Sequence, residues 1–305
     1  MRPRTSDMTT ETFPARPDMP TPGDAVSAAA PAGGDLPPAS TRARVLRIRN
    51  GVAEPRFDDD VLAEETPIAL EYNGISHATM LATPADLEDF AIGFSLTEGI
   101  IDDARDVRDI EARISEDGVV LELTIASACA ARLKERRRAL SGRTGCGLCG
   151  VETLPEVLRD IPPVPSGPPI AARAVLDAMR AMRECQALHA LTGATHAAAW
   201  ADADGALALV REDVGRHNAL DKLIGALARR PEGAPAAALG MIVVSSRASF
   251  EMVQKTAAAG VGVLAAVSAP TALARRLADR LNIALLGFMR DDDTTLYAHE
   301  ERISA

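Results

Sequence analysis

The chain has 305 residues, of which 47% are hydrophobic and 25% charged, enough apolar material for one large or two modest globular domains. Its net charge of −10 argues against a general nucleic-acid binder, although arginine outnumbers lysine 30 to 3. No apolar run could span a bilayer, the N-terminus has no hydrophobic signal region, and four scattered cysteines form no disulfide framework. We therefore expect a cytoplasmic protein.

The first half of the chain predicts a tail followed by a small α+β domain. Residues 1–42 are proline-rich and lack apolar periodicity, which predicts a disordered tail, whereas residues 43–128 carry strand and helix patterns. The predicted elements of this domain are a hairpin of residues 67–72 and 75–81 around Asn73-Gly74, a helix from an N-cap at Thr83 to about residue 98, and a second hairpin around Asp117-Gly118.

The second half predicts a layered α/β domain. Residues 129–169 contain a Cys-x-x-Cys loop and a proline-rich linker, and residues 170–305 alternate between helical and strand patterns. The predicted helices are 171–190, 216–228, 250–259 and 271–281, and the strands are 197–201, 207–211, 241–244, 263–267 and 283–288. In such a sheet, ligands bind at the carboxyl ends of the strands.

The stretch GCGLCG at residues 145–150 is compatible with three kinds of site. A zinc site would need a second pair of ligands beside these two cysteines, and the sequence shows no such pair. A thioredoxin-like dithiol would need a βαβ unit around the motif, and this is also missing. The three glycines suit a mobile loop, and six basic residues between 132 and 143 against one acid would favour a nucleophilic thiolate. The same basic residues could instead be a solvated helix face. The pattern favours a reactive sulfur at Cys146 or Cys149.

Two predicted strand-to-helix junctions have polar residues suited to a phosphate, because helix N-termini present free N–H groups and a positive dipole end. The residues concerned are Ser245, Ser246 and Arg247 at one junction, and Gly215, Arg216 and His217 at the other. The alternatives that involve no ligand are that a serine is only an N-cap and that His217 is a structural histidine. Two such junctions in one sheet favour a ligand site.

Six motifs together resemble the formate dehydrogenase accessory sulfurtransferase (FdhD) family. They are ETPIAL (65–70), DFAIGFSLTEG (89–99), TGCGLCG (144–150), TGATHA (192–197), REDVGRHNALDK (211–222) and SSRASFEMVQK (245–255). The resemblance extends in order over roughly residues 45–303.

The resemblance implies a sulfur carrier with Cys146 as the persulfide cysteine and Cys149 as a residue that resolves or relays the sulfur. It implies a cysteine desulfurase as donor, a molybdenum (or tungsten) bis(molybdopterin guanine dinucleotide) as bound substrate rather than permanent cofactor, and the formate dehydrogenase catalytic subunit as client. A homodimer is implied, and no metal site of the protein's own. The alternatives are a non-catalytic chaperone that holds the cofactor and a zinc-stabilised interaction module.

The resemblance also places a cofactor-binding segment near the C-terminus, and it implies a fold similar to that of the cytidine deaminases. The segment comprises Phe288, Met289, Arg290, Asp291, Asp292 and Asp293. Because it is unusually acidic, we expect it to contact an anionic ligand through backbone amides and Arg290. Deamination itself is excluded, since it needs His-x-Glu before a Cys-x-x-Cys, whereas this chain has alanine at 198 and its cysteine pair upstream.

Overall fold

The structure is a computed structural model that describes residues 36–141, 159–230 and 239–305, with side chains described up to residue 135 in the first range. Much of the predicted tail, part of the predicted linker, and both Cys146 and Cys149 lie outside these residues. Within the described ranges the chain forms fourteen strands and seven α-helices. None of these helices is long and apolar enough to cross a lipid bilayer.

A long two-stranded hairpin precedes the rest of the fold. Strand β1 (Ser40–Arg49) pairs antiparallel with β2 (Val52–Ala63). Asn50 and Gly51 both have positive φ, 52° and 80°, as a two-residue hairpin turn of type I′ requires. The hairpin was not predicted, and it begins inside the segment expected to be a tail, because backbone pairing with β2 extends from Arg49 back to Ser40.

A four-stranded sheet follows, with the strand order β4-β3-β6-β5. Its strands are β3 (Thr66–Tyr72), β4 (Ile75–Ala82), β5 (Val107–Ser115) and β6 (Gly118–Ile125). Both predicted hairpin turns are confirmed, and β3 and β6 pair in parallel at the centre. Helices α1 (Leu87–Thr97) and α2 (Ser127–Ser141) share a core with this sheet, which includes the fully buried Ile68, Leu70 and Phe90. We call this unit the N-terminal lobe.

Helix α1 starts later than predicted. The residue before it is Asp86, which has a left-handed backbone (φ 53°) and makes no side-chain cap. Thr83, the predicted N-cap, is instead fully buried, and its backbone N–H donates to the carboxylate of Asp213. A long-range contact with a buried charge therefore overrides the local capping signal.

The remainder of the described chain forms a six-stranded sheet with the order β13-β12-β11-β10-β8-β9. Its strands are β8 (His196–Ala201), β9 (Leu207–Asp213), β10 (Met241–Val244), β11 (Val263–Ala266), β12 (Ala284–Arg290) and β13 (Asp293–Ala298). The central strands β10, β11 and β12 are parallel. The uninterrupted apolar sequences of β10 and β11 match their burial on both faces. The short strands β7 (Ile170–Ala171) and β14 (Ile303–Ser304) pair beside it.

Helices cover both faces of this sheet, which makes it the layered α/β unit that the sequence predicts; we call it the C-terminal lobe. Helix α3 (Ala172–Glu184) packs on one face, and the predicted helix 171–190 breaks at Cys185 before α4 (Ala187–Thr192). On the other face lie α5 (Arg216–Ala228), α6 (Phe250–Ala258) and α7 (Ala272–Leu281). The fold is therefore of the α/β class.

The two lobes meet where α1 crosses α5. The helices approach so closely that a Cβ on Gly93 would lie 1.7 Å from the backbone oxygen of Asp221, and one on Gly225 would lie 1.9 Å from that of Asp89. Only glycine leaves room for such a backbone-to-backbone contact. Buried ion pairs flank the crossing, including one between Asp221 and Lys255 at 2.9 Å.

Candidate functional site

The carboxyl ends of β9 and β10 and the beginning of β8 lie side by side along the border of the six-stranded sheet that is formed by strand ends. We call this border the edge of the sheet. Asp213 at the end of β9 pairs with His196 at the start of β8. The backbone N–H of Ser245, directly after β10, donates to the backbone oxygen of Ala197 at 3.0 Å. Both predicted junctions therefore lie at this edge, where the fold class places ligands.

The first turns of α5 and α6 are in contact at this edge. Helix α5 begins at Arg216 after Gly215, and α6 begins after Ser249. The His217 Nε2 atom lies 2.8 Å from a carboxylate oxygen of Glu251, the distance of an ion pair, although the geometry does not satisfy a hydrogen bond. The His217 ring lowers the pKa of Glu251. Two helix N-termini, each with a positive dipole end, therefore face the same space.

Arg216 is the residue whose environment most clearly suggests a missing ligand. Its side chain is half-buried, and its Nε atom is buried without a hydrogen-bond partner among the residues that the structure describes. Buried N–H groups are almost always paired, so an unpaired one where the strands end points to an acceptor beyond the described residues, as a bound ligand would be. Burial, followed by the positive charge of Arg216, lowers the pKa of His196 beside it. An anion bound here would pair with both the Arg216 guanidinium and the His196 ring.

The serine side chains at the junction after β10 have different hydrogen-bond partners from those that the sequence predicts. The Ser245 Oγ atom accepts from the backbone N–H of Ala197 at 2.9 Å, and the buried Ser246 donates its hydroxyl to the backbone oxygen of Arg247 at 3.1 Å. Neither serine caps α6, whose N-cap position is Ser249. The hydroxyl hydrogen of Ser245 and the exposed side chain of Arg247 are the groups that this junction offers to a ligand.

The segment 288–293 reaches the same edge but only partly as a ligand-binding surface. Phe288 lies in a bulge of β12 with φ 54° and is 43% exposed, and its backbone N–H is 3.5 Å from the Ser268 oxygen. Ser268 in turn donates to the Ser246 backbone oxygen at 3.4 Å. The side chain of Met289 is 1% exposed in the core beneath α3 and is therefore not available to a ligand.

One carboxylate of the acidic turn in this segment is paired with helix α3. Asp292 accepts from Arg173 at 2.9 Å and from Arg180 at 3.3 Å. Arg183 of the same helix donates to the Met289 backbone oxygen at 2.6 Å. The carboxylate that seemed unfavourable beside an anionic ligand is thus paired with two guanidinium groups, while Arg290 remains exposed.

The basic cluster before the cysteine motif is partly structural. Arg132 donates to Asp102 at 2.7 Å, and its guanidinium lies 3.5 Å from the Cys129 sulfur. Cys129 is buried, and desolvation raises its pKa. Arg132 therefore forms an ion pair with an acidic residue of the N-terminal lobe, and the effect of the basic cluster on the cysteine motif stays a prediction. Cys146 and Cys149 lie outside the described residues.

Sequence reasoning did not single out the buried ion pair of Asp213 and Lys222 beneath the edge. Asp213 and Lys222 are both fully buried and 2.7 Å apart, and Asp221 pairs with Lys255. A compositional signal was present, because lysine is rare in this chain and two of its three lysines are these buried ones. A residue type that is kept against the composition of the whole chain indicates a position where arginine does not fit.

Comparison with known proteins agrees with this architecture. Residues 63–304 match the model of the FdhD/NarQ family. The sulfur carrier protein FdhD of Bordetella petrii is 66% identical over 261 residues, which cover 86% of this chain and 93% of that protein. The protein of the same name from Cupriavidus necator is 56% identical over 274 residues, or 90% of this chain and 93% of the relative.

A solved structure has the same fold at lower sequence similarity. It is described as a formate dehydrogenase accessory protein from Desulfotalea psychrophila, and it superimposes with a TM-score of 0.66 at 22% identity. The superposition covers 88% of this chain and 100% of the other. The family match over most of the chain and the high identity to the curated relatives lead to one conclusion. The chain belongs to the FdhD/NarQ family.

Proposed function

We propose that this chain is a sulfur carrier in the maturation of formate dehydrogenase. The observation that carries the proposal is the 66% identity, over most of both chains, to a protein named sulfur carrier protein FdhD. The motif TGCGLCG at residues 144–150 supplies the sulfur chemistry that this function needs. The accessory protein with the same fold supports formate dehydrogenase as the client.

The transfer is a thiol exchange on Cys146. The Cys146 thiolate attacks the terminal sulfur of a persulfide on a cysteine desulfurase, the donor's S–S bond breaks, and the donor leaves as a thiolate. The new persulfide on Cys146 then carries the sulfur to the client pathway, and Cys149 either resolves or relays it. In this role the chain acts as a cytoplasmic sulfurtransferase.

The acceptor in this proposal is a molybdenum or tungsten bis-guanine-dinucleotide cofactor, bound as a substrate at the edge of the six-stranded sheet. The diphosphates of such a molecule are anionic, which suits the two helix N-termini and the unpaired Nε of Arg216. Arg247 and Arg290 add exposed positive charge. Phe288 offers an exposed aromatic ring on the same edge.

Removal of these arginines tests the placement. We expect Arg216→Ala and Arg247→Ala each to weaken guanosine diphosphate binding about tenfold or more, since a charge-assisted hydrogen bond contributes about 1.5–3 kcal/mol. Arg276→Ala, at an exposed arginine of α7, is the matched control and should bind as the wild type does. The measurement is isothermal calorimetry. Wild-type protein that binds no guanine nucleotide, or arginine variants that bind equally well, would place the ligand elsewhere.

We also propose that the chain forms a homodimer through the β1–β2 hairpin. A two-stranded hairpin is marginally stable alone, and this one exposes five large apolar side chains, namely Leu46, Ile48, Val52, Phe57 and Leu62. Such a surface needs permanent cover, and a second copy is the partner that is always present.

Light scattering after size-exclusion chromatography tests the dimer. The double variant Ile48→Asp with Phe57→Asp should be monomeric, because buried carboxylates without partners oppose association. Leu239→Asp, at an exposed leucine outside the hairpin, should leave the mass unchanged. A hairpin variant that elutes with the wild-type mass would show that the interface lies elsewhere.

A further inference from the structure

A buried carboxylate organises the turn that leads into α5. Asp213 is fully buried, and one of its oxygens accepts from the backbone N–H of Gly215 at 2.7 Å and from the Asn218 amide at 3.0 Å. Helix α5 has no side-chain cap at its own N-cap residue, Gly215. Asp213 therefore holds the N-cap residue Gly215 and the side chain of Asn218 from the preceding strand, which anchors the start of α5.

The second oxygen of Asp213 binds groups from outside this turn. It accepts from Lys222 at 2.7 Å and from the backbone N–H of Thr83, in the N-terminal lobe, at 3.0 Å. The Lys222 ammonium also donates to the Thr83 backbone oxygen at 2.9 Å and is 3.4 Å from the Glu212 oxygen. All four acceptor positions of the carboxylate are thus used, and the ammonium is satisfied only by fixed groups of β9 and the N-terminal lobe.

Lysine is the rare basic residue of this chain, yet it occupies this fully buried position. With 30 arginines against 3 lysines, arginine would be the expected basic residue at any tolerant position. Lys222 has no exposed surface, and a compact ammonium with three donors fits a site that a planar guanidinium would overfill. A lysine kept in these surroundings indicates that the position of its charge matters.

We propose that Asp213 and Lys222 are positioning residues for the turn of residues 213–217, and that they hold Arg216 and His217 in place to receive an anionic ligand. The N-terminal lobe takes part through both backbone groups of Thr83, so the ligand edge of one lobe is built on the other. The identity of the ligand rests on the proposed function, whereas the positioning does not.

The chain contains a matched control for this proposal. Lys255 and Asp221 also form a buried ion pair, at 2.9 Å, between α6 and α5 at the interface of the lobes. Their further hydrogen bonds go to Thr97 and Glu98 of the N-terminal lobe and to none of residues 213–217. Loss of either lysine leaves a buried carboxylate unpaired, so both changes should destabilise the protein to a similar degree.

The experiment compares Lys222→Met with Lys255→Met in the full-length protein. We expect both to lower the melting temperature by about 10 °C. In hydrogen exchange of the ligand-free protein, peptides covering residues 213–218 should exchange about tenfold faster in Lys222→Met and at the wild-type rate in Lys255→Met. In calorimetry, Lys222→Met should bind guanosine diphosphate about tenfold more weakly, and Lys255→Met within about twofold of wild type.

A double variant separates positioning from stability. In Asp213→Asn with Lys222→Met no buried charge remains at this site, so the melting temperature should partly recover, while exchange of residues 213–218 should stay fast. The positioning role is overturned if residues 213–218 exchange equally fast in both single variants. It is also overturned if the wild-type protection of these residues returns in the double variant. If the wild type binds no guanine nucleotide, the ligand assignment fails, and the exchange data still decide the positioning.

Discussion

Replacing Cys146 by alanine is expected to abolish the maturation of formate dehydrogenase while the protein remains folded. The proposed transfer needs a thiolate that forms an S–S bond with the donated sulfur, and alanine has no atom that can do so. The loss should be complete, in contrast to the graded effects at the ligand edge. Formate dehydrogenase activity in cells that lack the native carrier, complemented with each variant, provides the measurement.

The matched control for this prediction is Cys185→Ala. Cys185 is an exposed free cysteine at the end of α3, so its replacement tests whether the loss of an accessible thiol is harmful in itself. We expect full complementation by this variant and a partial loss for Cys149→Ala. Full complementation by Cys146→Ala would refute the assignment of the carrier.

A large loss of stability is also expected for Gly93→Ala. The added methyl would lie 1.7 Å from the Asp221 backbone oxygen, so α1 and α5 would have to separate along the crossing that joins the lobes. Overpacking of a core commonly costs about 1–3 kcal/mol, and a clash with backbone on both helices should reach the upper end of that range or exceed it. Urea unfolding followed by circular dichroism measures the loss.

Gly167→Ala is the control for the glycine prediction, because no atom lies within 4 Å of the site where its Cβ would be. It should leave the free energy of unfolding within about 0.5 kcal/mol of wild type or raise it slightly. A Gly93→Ala protein as stable as this control would mean that the helix crossing is looser than described.

Turn residues made the N-terminal sheet predictable, but the same turn signal was overlooked once. Asn73-Gly74 between two apolar strands led directly to the β3–β4 hairpin. Asn50-Gly51 forms an equivalent turn between β1 and β2, yet its strands were not predicted, because the alternation of β1 changes phase at Val45-Leu46 and β2 contains Pro55 and three consecutive aspartates, residue types that strands disfavour. Pairing of the backbone, aided by contacts such as Arg47 with Asp58 at 2.7 Å, makes up for what the hydrophobic pattern lacks.

The alternation of the second half predicted the six-stranded sheet, since buried parallel strands such as β10 and β11 read as short apolar runs. The same alternation predicted that residues 215–217 and residues 245–247 lie together at one edge, as the topology of such sheets requires. The sequence could not show the contacts between residues that are far apart along the chain. The partners of Thr83 and Asp292 are 130 and at least 112 residues away, so no local pattern encodes them.

Intact-mass spectrometry of the purified protein after incubation with a cysteine desulfurase and cysteine tests directly whether the chain carries sulfur. A sulfur carrier should show a reducible gain of sulfur on the wild type, located by peptide mapping on the fragment with Cys146 and absent from Cys146→Ala. A wild-type mass that does not change would favour a chaperone that only holds the cofactor, and zinc retained by the Cys-x-x-Cys motif would favour an interaction module. Either result would contradict a sulfur carrier.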